Sequence, residues 1–258
     1  MAPIRDQIVF ITGASSGIGR ATALAFAAEG ARLLLCARRT DRLQSLRGAA
    51  EQAGAPAVHT FVLDVRDRSG VEAAIAALPP EWKPVDILVN NAGLSRGLAK
   101  LHEETDPENW EEMIDTNIKG LLYVTRAVTP GMVERGRGHV FSLGSTAGHQ
   151  TYAGGAVYCA TKAAERVLSE GLKIDLMGTP VRVTSIDPGM VETEFSQVRF
   201  RGDHERAAKV YEGITPLRPE DVADAIVWAA TRPAHVNIHS ILMTSIDQAN
   251  STVVHRHK

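Results

Sequence analysis

The sequence predicts a single α/β domain, a doubly wound parallel sheet of about seven strands with helices on both faces. Three observations lead there. Short apolar runs alternate with longer helical patterns along the chain. Most of the runs lack polar alternation, as expected of strands buried on both faces. No repeat, low-complexity tract or Pro/Gly/Ser-rich linker divides residues 1–258.

The strand-like runs are Ile8–Thr12, Arg32–Cys36, Val58–Leu63, Ile87–Val89, His139–Leu143, Val181–Ile186 and Ser240–Met243. The helical patterns cover Gly17–Glu29, Asp41–Gln52, Ser69–Leu78, Pro107–Glu134, Ala156–Met177 and Pro219–Thr231. Asp106 sets a capping side chain before Pro107 at the first helical position, and Pro219 with Glu220 and Asp221 opens the last helix in the same way. Met190–Arg218 is the least regular stretch. It follows a strand end and carries Phe195, Phe200, Tyr211 and many charges. Ligands of open parallel sheets bind outside the carboxyl ends of the strands, so residues 190–218 are a candidate substrate loop.

Composition narrows the function classes. A net charge of −2 argues against nucleic acid as the main partner. No run approaches about 18 uninterrupted apolar residues, so no membrane span is expected. The start, M-A-P-I-R-D-Q-I-V-F, lacks the pattern of a signal peptide. Cys36 and Cys159 are too few for a disulfide framework and read as small buried hydrophobes, which suits a reducing cytoplasm. His102-Glu103 lacks the second histidine of H-E-x-x-H. His255 and His257 in the terminal H-R-H-K suit a solvated tail or an intersubunit contact. No catalytic metal is expected.

The first strand runs into G-A-S-S-G-I-G and then a helix. Gly13, Gly17 and Gly19, with Ser15, Ser16 and Ile18 between them, can turn tightly and let the backbone approach a ligand. The helix N-terminus offers free N–H groups to a pyrophosphate. The second strand ends in C-A-R-R-T, where an acidic residue would suit the ribose hydroxyls of NAD. Arg38 and Arg39 stand there instead, and their forked donors suit a 2′-phosphate. The alternative is a pair of solvated surface arginines. The expected cofactor is NADP.

Tyr158 and Lys162 lie four residues apart, on one face of a helix. An ammonium beside a phenol favours proton exchange by the phenol. Ser145, thirteen residues before Tyr158, adds a hydroxyl that could hold a substrate oxygen. Ser142 is a second hydroxyl near the same strand end.

With these residues, the chain resembles the short-chain dehydrogenase/reductase family along nearly its whole length. The marks are T-G-A-S-S-G-I-G at 12–19, L-D-V at 63–65, N-N-A-G at 90–93, Asn117 in D-T-N, Ser145, Tyr158 with Lys162, and D-P-G at 187–189. The resemblance implies a Rossmann fold with Tyr158 as general acid/base. It implies that Lys162 assists Tyr158 and binds the nicotinamide ribose, that Ser145 holds the substrate oxygen, and that Asn117 keeps a water chain to solvent. Asp64 and Val65 would border the adenine, and Asn91 the cofactor's ribose. Pro188, Gly189, Val191 and Thr193 would meet the nicotinamide and its phosphate. Asp64 could instead only cap the next loop, and Asn117 only bond backbone within its helix.

The segments W-E-E-M-I-D-T-N-I-K-G, E-F-S-Q-V-R-F-R-G-D and R-P-A-H-V-N-I-H look like the NADP-dependent 3-hydroxy acid dehydrogenases, a group that includes serine and allo-threonine dehydrogenases and semialdehyde reductases. Sulfoacetaldehyde reductases are similar too. A small anionic substrate such as a 3-hydroxy acid is implied. Arg199 is the first candidate for its counter-charge and Tyr152 a hydrogen-bond donor; Arg199 could also only anchor the loop to Asp203 or Glu194. His149, Gln150 and Met190 are candidate pocket walls. The family pairs its long helices between subunits, so a homotetramer is expected. A non-catalytic NADPH-binding sensor is the reading from another class, and the intact Asn117, Ser145, Tyr158 and Lys162 set argues against it.

Overall fold

The computed structural model describes residues 4–257, so Met1–Pro3 of the amino-terminal stretch and Lys258 of the basic tail lie outside the described residues. Seven strands form one sheet: β1 (Ile8–Thr12), β2 (Arg32–Ala37), β3 (Val58–Val62), β4 (Ile87–Asn90), β5 (Gly138–Leu143), β6 (Val181–Pro188) and β7 (Ser240–Met243). They pair in parallel in the order β3-β2-β1-β4-β5-β6-β7. The order reverses between β1 and β4. Helices on either side of a reversal leave a crevice at the carboxyl ends of the strands, where ligands of such sheets bind.

Strand side chains alternate between two cores, because successive Cβ atoms point to opposite faces. Val9, Ile11, Leu33, Leu35, Ile87 and Val89 pack with α1 (Gly17–Ala28), α2 (Thr40–Gln52) and α9 (Pro219–Ala230). Ile8, Phe10, Leu34, Cys36, Leu88 and Val140 pack against α3 (Arg68–Ala76) and α5 (Leu121–Glu134). The edge strands depart from expectation. β7 alternates between exposed and half-buried residues, and Val62 at the end of β3 is 56% exposed, because an edge has a neighbour on one side only.

The single helix expected over Pro107–Glu134 is three pieces: α4 (Glu108–Ile114), a π-helical turn (Asp115–Gly120) and α5. Wide turns of this kind insert a residue and often mark functional sites. This one carries Asn117. The expected substrate loop is also more regular than the sequence suggests. It holds two short helices, α7 (Phe195–Arg199) and α8 (His204–Lys209), and an isolated parallel bridge between Val191 and Leu217 pinches its base. The long α6 (Ala156–Asp175) covers β5 and β6. No helix among the described residues is long and apolar enough to cross a membrane.

Candidate active site

A cleft of about 750 Å³ opens where β1, β4, β5 and β6 end. Its floor is the turn after β1. Gly13 has φ +63°, and a Cβ there would lie 2.9 Å from the Ala92 backbone, so only glycine suits the position. Asn91 Nδ2 donates to the carbonyls of Thr12 and Gly13 at 2.9 and 3.1 Å and ties this turn to the end of β4. α1 begins with no side-chain cap at Ser16 and no acid in its first turn. Its N–H groups are available to an anion, which fits a pyrophosphate. Gly13, Ser15, Ser16, Gly17 and Ile18 line the cleft. Gly19 does not; it lies beneath, where a Cβ would stand 2.4 Å from Asn91 Nδ2.

Arg38 and Arg39 reach the cleft from the end of β2. Arg38 is exposed at the rim. Arg39 Nη2 donates to the hydroxyls of Ser15 and Ser16 at 3.1 and 2.9 Å. Its Nη1 lies 3.4 Å from Glu194, which also takes Arg42 Nη1 at 2.6 Å. Burial pushes the Glu194 carboxyl up, but the two arginines outweigh it and hold the group below the usual carboxylate range. Two guanidinium groups, of Arg39 and Arg42, and two hydroxyls therefore converge on one corner, a donor set suited to a 2′-phosphate. Asp64 and Val65 line the same end of the cleft. Asp64 also caps its loop: its carboxylate accepts from Arg66 N at 3.0 Å and Arg66 Nη2 at 2.6 Å. The Arg66 hydrogen bond holds it below the ordinary carboxylate range.

At the other end, Ser145, Tyr158 and Lys162 line the cleft together with Pro188, Gly189, Val191 and Thr193. Ser145 follows β5, and its hydroxyl accepts from Ala147 N at 3.1 Å. Ser142 is buried within β5 and does not line the cleft. Tyr158 lies in the first turn of α6 with its ring 5.7 Å from that of Phe195. Lys162 is buried, and its Nζ lies 5.9 Å from the centre of the Tyr158 ring. Asn117 is one layer behind. Its Oδ1 accepts from Leu94 N at 2.9 Å, and its Nδ2 donates to Leu94 O and Thr161 Oγ1 at 2.9 and 3.0 Å. Its partners are thus the loop after β4 and α6, not its own helix. A Cβ at Gly93 would stand 3.4 Å from Asn117 Oδ1 and 3.5 Å from Lys162 Nζ, so Gly93 is the gap between them.

Arg199 and Tyr152 close the wall above Tyr158. Arg199 Cζ lies 5.4 Å from the Tyr158 ring centre and 5.2 Å from that of Phe195. Its Nη2 donates to Tyr152 Oη at 3.3 Å. Burial pushes the Tyr152 phenol up, so it stays a donor at neutral pH. Arg199 anchors to neither Asp203 nor Glu194: Asp203 caps α8, and Glu194 pairs with the arginines of α2 and its approach. Met190 lines the cleft, whereas His149 and Gln150 do not. His149 turns the other way and meets Asp187 at 2.9 Å.

Sequence reasoning passed over Arg42, Glu165 and the locking role of Tyr211. Arg42 had a signal, since it lies in the first turn of α2, three residues after Arg39. Tyr211 Oη donates to Val191 O at 2.9 Å and lies 2.9 Å from Ser196 Oγ, contacts across the loop that no local pattern announces.

The arrangement can hold a dinucleotide along the strand ends and exchange a proton at Tyr158 beside a small anion. Comparisons with known proteins give the family. Residues 7–203 match the model of the short chain dehydrogenase family. The chain is 51% identical over 252 residues to an NADP-dependent 3-hydroxy acid dehydrogenase, YdfG, of Salmonella typhi, covering 97% of this chain and all of the relative. It is 43% identical over 241 residues to a serine 3-dehydrogenase of Agrobacterium fabrum, covering 93% of this chain and 94% of that one. The closed form of a serine dehydrogenase complexed with NADP+ superposes with a TM-score of 0.91 at 49% identity, over 97% of this chain and all of that one. On its matched length, its sheet order and its relatives, the chain belongs to the short-chain dehydrogenase family.

Proposed function

We propose that the protein is an NADP-dependent oxidoreductase that moves a hydride between the nicotinamide and a small 3-hydroxy acid, such as serine or 3-hydroxypropionate, or the matching semialdehyde. Arg199 carries the substrate class. It is a cation over the Tyr158 ring, and its Nε is buried without a hydrogen-bond partner. Such a donor is costly unless an acceptor arrives, and a carboxylate is the acceptor it fits best. NADP rather than NAD is supported by Arg39 and Arg42 at the corner beside Ser15 and Ser16, and by relatives named for NADP.

When bound, the cofactor supplies or accepts the hydride at nicotinamide C4. Tyr158 would give a proton to the substrate oxygen in reduction and take it back in oxidation. Ser145 would hold that oxygen. Lys162 would bond the ribose and set positive charge beside the phenol. Asn117, next to Lys162 across Gly93, would order water on the path to solvent. Arg199 and Tyr152 would orient the carboxylate so that the reacting carbon faces the cofactor.

A spectrophotometric screen at the NADPH absorbance, with hydroxy acids, sulfonated and neutral aldehydes and ketones, tests this reading. Turnover of 3-hydroxy acids supports it. Preference for a sulfonated aldehyde would move the substrate within the anionic class, preference for neutral ketones would reject the Arg199 role, and NADPH binding without turnover would favour a sensor.

A homotetramer is supported by apolar side chains left in solvent along the long helices: Val167 and Ile174 of α6 are 53% and 70% exposed, and Leu122 and Val133 of α5 are exposed too. Light scattering at the monomer mass would reject it. Buried free thiols at Cys36 and Cys159 suit a reducing cytoplasm, which cell fractionation would test.

A further inference from the structure

Glu165 stands three residues after Lys162 in α6. It is 3% exposed and does not line the cleft. Both carboxylate oxygens lie within hydrogen-bond distance of Lys162 Nζ, at 2.9 and 3.0 Å. Leu143 O accepts from the same ammonium at 2.7 Å. An ammonium has three N–H groups. Two are thus turned into the protein, and the third is left for the cleft. The backbone carbonyl of Glu165 in turn accepts from Ser169 Oγ at 3.0 Å, which ties this turn of the helix together.

A lysine that must serve a ribose and a phenol gains direction from such an anchor. It also loses field, because a negative charge beside the ammonium cancels part of the potential it exerts on Tyr158. The other groups facing the pair are few. Asp187 on β6 acts on both Glu165 and Lys162. Asp187 is itself bonded by Ser185 Oγ at 2.6 Å and by His149 Nε2 at 2.9 Å. Tyr158, one turn earlier on α6, acts on Lys162.

We propose that Glu165 is a positioning residue that fixes the ammonium of Lys162 and, through its charge, tunes the field that Lys162 exerts on the proton exchange at Tyr158. Burial pushes the Glu165 carboxyl up against the pull of Lys162, to about 7. Burial lowers Lys162, but the charge and hydrogen bond of Glu165, with the charges of Tyr158 and Asp187, more than offset this and leave it raised. The carboxyl therefore changes charge near neutrality while the ammonium keeps its own. Below that range Glu165 is neutral and Lys162 acts on Tyr158 with its full charge. Above it the carboxylate damps the field that Lys162 exerts at the Tyr158 phenol. The kinetic part of this inference rests on the hydride-transfer reading; the titration of Glu165 does not.

The test has two arms. Glu165→Gln keeps the shape of the side chain and removes its charge. The rising limb of the oxidation rate should move to lower pH by about one unit. The two profiles should converge below about pH 6, where wild-type Glu165 is itself protonated. A purely structural role would lower the rate at all pH values and leave the limb in place. The second arm is a carbon-13 NMR titration of the Glu165 carboxyl in the cofactor-free wild-type protein. It should give a midpoint near 7 that coincides with an inflection in the wild-type pH–rate profile. Superimposable limbs in the first arm, or an ordinary carboxylate midpoint in the second, would overturn the proposal, and the second arm holds even where the Gln variant fails to fold. Absence of turnover with every hydroxy acid and aldehyde would count against the substrate reading alone, because the NMR midpoint still decides the state of Glu165.

Discussion

The two ends of the cleft are built differently. The cofactor end rests on sheet register and backbone turns. Its floor follows β1 directly, Asn91 ties it to β4, and its donors lie within one helical turn of a strand end. The substrate end rests on an insertion of two short helices held by side chains from far along the chain. Arg96 pairs with Glu112 and donates to Val198 O, Gly97 N donates to Arg199 O, and Arg201 reaches Asn109. The first end is thus a matter of strand pairing and backbone turns. The second is a matter of side chains holding an inserted segment, and Glu194 links the two.

The largest expected effect lies at the junction of the two ends. Tyr158→Phe removes the exchangeable proton and leaves the ring, so kcat should fall by about 10³-fold, with NADPH binding measured by fluorescence titration unchanged. Comparable losses in binding and turnover would mean that Tyr158 belongs to the cofactor end alone. Next in size is the pair Arg39→Ala and Arg42→Ala. Removing charge-assisted bonds to a phosphate should raise the KM for NADP by about 10–100-fold, while the KM for NAD changes little. Equal effects on both cofactors would refute the phosphate role. The smallest effect concerns the link between the two ends. Glu194 comes from the substrate side and occupies the arginines of the cofactor side. Glu194→Gln should therefore lower the KM for NADP by about two- to five-fold, read in the same assay. A raised KM would show that Glu194 arranges the arginines rather than competing for them.

Legibility in the sequence follows the same division. The strand runs, the glycine turn and the spacing of Ser145, Tyr158 and Lys162 were readable, because each is a local pattern with one structural solution. Arg38 and Arg39 were readable as a pair, but the distribution of work was not. Arg39 packs under the serine hydroxyls, Arg38 stays at the rim, and Arg42 joins from the helix. The π-helical turn at Asn117 was hidden, because the chain stays helical on both sides of D-T-N-I-K-G and no proline marks it. Glu165 was hidden for a different reason: a charged residue in an amphipathic helix ordinarily reads as a solvated face, and only the packing of α6 against β5 and β6 buries it. The orientation of His149 away from the cleft depended on Asp187, thirty-eight residues later.

The central claim is that Arg199 selects a small carboxylated substrate for the proton exchange at Tyr158. Its most direct test is kcat/KM for a 3-hydroxy acid and for a neutral alcohol of the same size, in the wild type and in Arg199→Ala. Loss of a buried charge-assisted contact should lower the value for the acid by about 10–100-fold, and leave the neutral alcohol within about two-fold. Equal losses for the two substrates, or none for the acid, would contradict it.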